Sequence, residues 1–338
     1  MKIHAWSVPV FLAGLAMSAT NACAAPTITY FDVPGGSIGS AKIDNAGEIS
    51  GVYLGSDGND HGYRRSAGGT ITTFDAPGAD FTVPQDISKG VITGQYVTVV
   101  SRKGAQGQSG FILPPDGPAV VFSVNNSGFT EPVAINNGVI VGSYAATKKA
   151  TYACCGFVRA STGAIELFHV AGAVQTVPRD INSSGEITGD WYDGHTAHGF
   201  IRSPDGSLTT FDEPNGGWIV PDSIQIDGIV AGTYTDGQNV GHGFIRSASG
   251  TFTTVDVPGA RGTFISCINN NGWIVGGWSA NADGTNPRGF IRTADGKIKK
   301  LSIDQATYIL LNSINSANVA SGAYIDEQNM GHGFIVTP

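Results

Sequence analysis

The stretch Arg179–Asp212 reads RDINSSGEITGDWYDGHTAHGFIRSPDGSLTTFD, and its punctuation decides the fold. Asn182 to Gly185 is a turn signal. Ile187 to Tyr192 follows as a short strand, with Gly189 two residues ahead of Trp191. His198 to Arg202 is the next strand, Pro204-Asp205-Gly206 a tight turn, and Leu208 to Phe211 another strand. Pro presets φ, Asp bonds its own backbone and Gly turns left-handed, which together make a hairpin loop. With a strand ending at Ile181, the unit holds four short strands, A to D.

Working outward, the unit recurs along the chain. The Phe-Asp-like step stands at Phe31, Phe74, Phe122, Phe168, Phe211, Val255 and Leu301, spaced by 43 to 48 residues. The His-Gly-Phe mark begins at His61, Ser109, Cys155, His198, His242, Arg288 and His332, and strand A ends at Ile43, Ile87, Ile135, Ile181, Ile224, Ile268 and Ile314. Seven four-stranded units of this period predict an all-β fold, a seven-bladed β-propeller. A β-solenoid is the rival, but its coils are shorter and lack a hairpin at every step. The composition agrees: 48 Gly weaken helices, while 41% hydrophobic residues suffice for a core.

The order of strands predicts how the ring shuts. The repeats begin with a D strand at Ile28–Val33 and end with a C strand at Gly333–Val336, so the N-terminal D strand is expected to complete the last blade. Across each C–D turn the His and Asp marks are 14 residues apart, which sets them opposite each other: His61/Asp75, His198/Asp212 and His242/Asp256. His332 and Asp32 remain, and they pair only if the ring closes in this way. Four such pairs spread round a ring, with no nucleophile beside them, read as structural hydrogen bonds rather than catalytic dyads. The Arg closing strand C reads as a structural salt bridge or a stacking partner, and the Tyr or Trp of strand B as interblade packing.

The Ile-Asn, Gly-x-Ile-x-Gly-x-Tyr and His-Gly-Phe-Ile-Arg pattern resembles the bacterial extracellular HAF-type repeats, over nearly all of the chain after the leader. Gly replaces the middle Ala, at Gly62, Gly199, Gly243 and Gly333. The resemblance implies an exported repeat protein and supplies no catalytic residues.

Residues 1–24 read as a signal peptide: a basic start at Lys2, an apolar run from Val8 to Met17, and small residues at Ala22 to Ala24. Residues 25–338 form a single propeller domain, periplasmic or secreted and without membrane insertion, since no segment is long and apolar enough to span a bilayer. Cys154, Cys155 and Cys267 remain after cleavage. Adjacent Cys154 and Cys155 either form a vicinal disulfide or stay free, and the odd count leaves one thiol over.

The formal charge of −8 gives no footprint for nucleic acid. No cofactor or metal framework is expected. Cys155, His169, Asp193, His195 and His198 match no recognised zinc spacing. Gly35 to Gly39 matches a nucleophile elbow, but no helix follows it. Function is sought where the repeat varies, on the face carrying the D–A and B–C loops. Thr98–Gln108 includes Arg102 and Lys103, Ala145–Tyr152 includes Lys148 and Lys149, and Phe81, Trp218 and Tyr308 bring apolar rings. Just before the Ile mark stand Lys42, Asp86, Arg179, Asp180 and Asp222. These eight residues are the candidate ligand site of a binding or interaction module for an unknown carbohydrate or protein ligand. The alternative is a polysaccharide lyase or hydrolase with Asp86, Asp180, Arg179 and Lys42 as its grouped candidates.

Overall fold

The computed structural model describes residues 26–99, 106–147, 153–214, 217–281 and 285–338. Residues 1–24, which the sequence reads as a signal peptide, lie outside them. Seven antiparallel sheets follow in chain order, and all the regular structure described is strand. In blade 4, strand A is Gln175–Ile181, B is Ile187–Tyr192, C is Ala197–Arg202 and D is Leu208–Phe211. The A strands of neighbouring blades touch one another around the ring, so they line the axis and the D strands lie outermost. The protein is a seven-bladed β-propeller.

The ring closes as the strand order requires. Thr27–Phe31 pairs antiparallel with Gly331–Thr337, placing Phe31 opposite Gly333. One register step further, His332 Nδ1 meets Asp32 Oδ1 at 2.6 Å. The three internal pairs form as well: His61 to Asp75 at 2.9 Å, His198 to Asp212 at 2.5 Å and His242 to Asp256 at 3.0 Å.

A second carboxylate was not legible at the sequence level. Asp57, Asp193, Asp236 and Asp326, from the B–C loops, face the other ring nitrogen at 3.1 to 3.5 Å. They precede their histidines by four to six residues, too irregularly to stand out. Tyr53, Trp191, Tyr234 and Tyr324 stack on these imidazoles, with centroids 4.2 to 5.3 Å apart. The strand B aromatics thus serve their own blade's histidine as well as packing. The strand C arginines stack between blades: Arg65, Arg159, Arg202 and Arg246 lie over Phe31, Phe122, Phe168 and Phe211 of the preceding blade.

Two glycine sets have steric causes. After the His mark, a Cβ on Gly62, Gly156, Gly199 or Gly333 would sit 2.3 to 2.5 Å from the strand D phenyl ring. In strand B, a Cβ on Gly94, Gly142, Gly189, Gly232, Gly276 or Gly322 would sit 2.0 to 2.2 Å from a strand A carbonyl oxygen. That carbonyl is pushed in by a β-bulge. Register slips between Pro84 and Asp86, Pro132 and Ala134, Pro178 and Asp180, Pro221 and Ser223, Ile265 and Cys267, and Leu311 and Ser313. Pro cannot donate to the ladder, and in four blades it stands where pairing breaks.

Candidate functional site

The bulge positions the site. An extra residue in strand A lets consecutive side chains turn toward the axis instead of alternating. The bulged residues are Gln85, Val133, Arg179, Asp222, Ser266 and Asn312, and the residues after them include Asp86, Asp180 and Cys267. Arg179 and Asp222 therefore owe their place to a backbone irregularity that is marked in the sequence only by Pro178 and Pro221.

Arg179 is anchored at one point. Its Nε donates to Asp190 Oδ1 at 2.7 Å, and Asp190 is 7% exposed on strand B of the same blade. Among the described residues, no hydrogen bond is made by its terminal nitrogens. Burial works against the guanidinium charge, but Asp190, Asp222 and Glu131 outweigh it and hold its pKa above the ordinary value. Asp222 accepts no hydrogen bond among the described residues. Burial pushes its carboxyl up to about 7, against the pull of Arg179. Burial also raises Glu131, again with Arg179 as the opposing charge. Asp190 rises for the same reason.

Asp86 and Asp180 are committed differently. Asp180 Oδ2 accepts from Ile224 N at 2.9 Å and Ser223 Oγ at 3.0 Å, and its Oδ1 accepts from Ile181 N. Asp86 Oδ2 accepts from Ile135 N at 2.8 Å. Each carboxylate clasps its blade to the next. Burial pushes Asp86 up to about 6 and raises Asp180. Lys42 Nζ donates to Asn312 O at 3.1 Å, and its charge reaches Asp86, Asp180 and Asp222.

The channel opens among the A–B turns into a cavity of about 350 Å³. Asp86, Asp180, Ser223 and Cys267 line it beside the seven Ile marks. This is the face of uniform turns, which sequence reasoning had passed over. It also missed the residue after each Ile. Asn182 Nδ2 donates to Gln225 O at 2.7 Å, Asn269 Nδ2 to Asn315 O at 2.8 Å and Asn315 Nδ2 to Asp44 O at 3.1 Å, while Gln225 Nε2 donates to Asn269 O. These amides stitch blade to blade around the cavity rim. The recurrence of Asn after the Ile mark was the available signal.

At the other end of the strands, Trp218 is 45% exposed and its ring lies 5.5 Å from Tyr192. Phe81 begins strand A of blade 2, and Tyr308 lies in strand A of blade 7, both half-buried. The structure thus groups Arg179 with Asp222, and Lys42 with Asp86 and Asp180. It leaves Trp218, Tyr308 and Phe81 on separate blades. Arg102, Lys103, Lys148 and Lys149 lie outside the described residues. Cys154 and Cys155 are joined as a vicinal disulfide and Cys267 is free, so Cys155 is not offered to a metal. Among the described residues, no helix is long and apolar enough to cross a membrane.

No protein-family model matches the chain, so the resemblance to HAF-type repeats assigns no family. No curated protein matches it. Solved structures do. A streptogramin B lyase is 14% identical with a TM-score of 0.59, covering 92% of this chain and 98% of that one. The virginiamycin B lyase from Staphylococcus aureus is 14% identical with a TM-score of 0.57, covering 93% and 100%. A puromycin hydrolase is 13% identical with a TM-score of 0.60, covering 89% of this chain and 52% of that one. At such identities the likeness is one of fold.

Proposed function

We propose that the protein is an exported binding module that takes a small, hydroxyl-rich ligand in its axial channel, beside blades 3 to 5. One observation carries this reading: Arg179 is oriented by a single hydrogen bond from Nε to Asp190 while its terminal nitrogens have no protein acceptor among the described residues. The Arg179 side chain is 38% exposed, so those nitrogens are open to the acceptors of a ligand. Asp222 and Glu131 stand next to that fork with spare capacity of their own. A carboxyl poised near 7 both donates and accepts, which suits hydroxyl groups. Export rests on the leader at residues 1–24 and on the HAF-type repeat pattern.

Calorimetric titration of the purified protein with neutral oligosaccharides tests the proposal. Arg179→Lys keeps the charge and loses the fork, so affinity should fall about tenfold. Unchanged affinity in this variant would remove Arg179 from the site.

A lyase or hydrolase is the second reading, favoured by the near-neutral Asp222 carboxyl beside a guanidinium, a pairing suited to proton transfer. The streptogramin B lyase shares the fold, and at 14% identity it lends no catalytic residue. Asp222 is the better acid–base candidate, because the oxygens of Asp180 are occupied in holding blade 5. Product formation that is lost in Asp222→Asn, with affinity retained, would favour the enzyme. Tight binding without product favours the module.

A further inference from the structure

We infer that the seam between blades 4 and 5 carries a sugar-stacking platform leading to Arg179, and that its ligand is a neutral or amino-sugar oligosaccharide lying along the seam. This rests on the reading of the Arg179 sector as a ligand site. The platform is Trp218 with Tyr192, their rings 5.5 Å apart and inclined at 35°. Val174 beside them is 56% exposed. Trp218, at 45% exposed, leaves much of its large apolar ring open to solvent.

The two ends of the seam are joined by strand periodicity. Before the bulge alternate residues share a face, so Trp218 and Val220 form one row and Gln175 and Val177 another, and the bulge sets Asp222 and Arg179 at the ends of these rows. Asp190 and Tyr192 share a face of strand B in the same way. Burial follows this pattern: Val177 and Val220 are half-open, while Thr176, Pro178, Ile219 and Pro221 between them are buried. The row from Trp218 to Asp222 runs about 13 Å at strand rise, which is the reach of a short oligosaccharide and not of a single sugar.

The chemistry selects the ligand. A pyranose offers a flat C–H face to an aromatic ring and hydroxyls to a guanidinium and carboxyls, and the seam presents those partners in that order. Among the described residues around the channel, the carboxyls of Asp86, Glu131, Asp180, Asp190 and Asp222 outnumber the cations Lys42 and Arg179. The whole chain carries −8. Polyuronates are repelled by such a field, and an ammonium group is drawn in.

The full chain is titrated with cellotriose, the glucosamine trimer and trigalacturonate, followed by calorimetry and tryptophan fluorescence. Binding of either of the first two and exclusion of the third is expected. Trp218→Ala should weaken binding about tenfold, and Trp218→Phe should keep most of it. If Trp218→Ala binds as well as wild type while Arg179→Lys is weakened, the platform is wrong and the channel reading stands. If Trp218→Ala is weakened while Arg179→Lys is not, the platform stands and the channel reading fails. Binding of none of the three, or a preference for trigalacturonate, overturns the inference. Trp218-dependent binding of the peptide Lys-Phe-Lys would give the platform to peptides and overturn the sugar assignment.

Discussion

Gly232→Ala should be one of the most damaging single-methyl changes in the molecule. Gly232 pairs with Pro221 just before the bulge that places Asp222. A Cβ there would stand 2.1 Å from Val220 O, 2.8 Å from Pro221 Cα and 2.9 Å from the Phe244 ring. Two of these neighbours are backbone, so no side chain can swing away. Relief requires strands A and B of blade 5 to separate by about 1 Å, with strain and a weakened ladder costing about 2–4 kcal/mol. Gly237, in the B–C loop of the same blade, is the control. Nothing lies within 4 Å of its hypothetical Cβ and its φ is not left-handed, so Gly237→Ala should be neutral or stabilising by a few tenths of a kcal/mol. Urea unfolding followed by tryptophan fluorescence should show a lower midpoint at unchanged slope for Gly232→Ala alone. If the two variants unfold alike, the steric account of the strand B glycines is refuted.

Three further outcomes follow from the same structure. Hydrogen bonds raise the pKa of His61, His242 and His332 above 6.5, against the opposing effect of burial, because both ring nitrogens of each face carboxylates and only the imidazolium donates from both. Their stabilisation is complete below the unfolded value and is lost as pH rises through the folded one. The stability gap between wild type and His332→Asn, read by urea midpoints, should therefore shrink from pH 6 to pH 9; a widening gap would reverse the assignment. Arg179→Met strands the Asp190 carboxylate and should cost about 2–3 kcal/mol, less than a fully buried pair because the Arg179 side chain is 38% exposed, and Arg179→Met with Asp190→Val should recover most of it in a double-mutant cycle. Asn315→Ala removes the bonds to Ala317 N, Val319 N and Asp44 O and should cost about 2–3 kcal/mol, with hydrogen exchange quickened first at the junction of blades 7 and 1.

The candidate site was half legible. Lys42, Asp86, Arg179, Asp180 and Asp222 stood out because they break the repeat just before the Ile mark. Their division of labour did not, since whether a carboxylate clasps the next blade or faces a channel depends on a partner some 44 residues away. Asp180 and Asp222 look alike in the chain. One accepts from Ile224 N and Ser223 Oγ, while the other is left without a donor among the described residues. The opening of the cavity among uniform turns was invisible for a related reason: variation marks loops, and this rim is built from the amides that recur.

The sequence by itself determined the number of blades, the register of every His–Asp hairpin and the exchange of strands that shuts the ring. Those depend on local turns and a period of two, which neighbouring residues impose on one another. Only the tertiary structure decided that a bulge beside Pro178 and Pro221 turns Arg179 and Asp222 to the axis. It also decided that Trp218 meets Tyr192 across a blade boundary and that each paired histidine faces a second aspartate. Those depend on seven sheets packing face to face, and that packing sets distances the linear spacing does not encode.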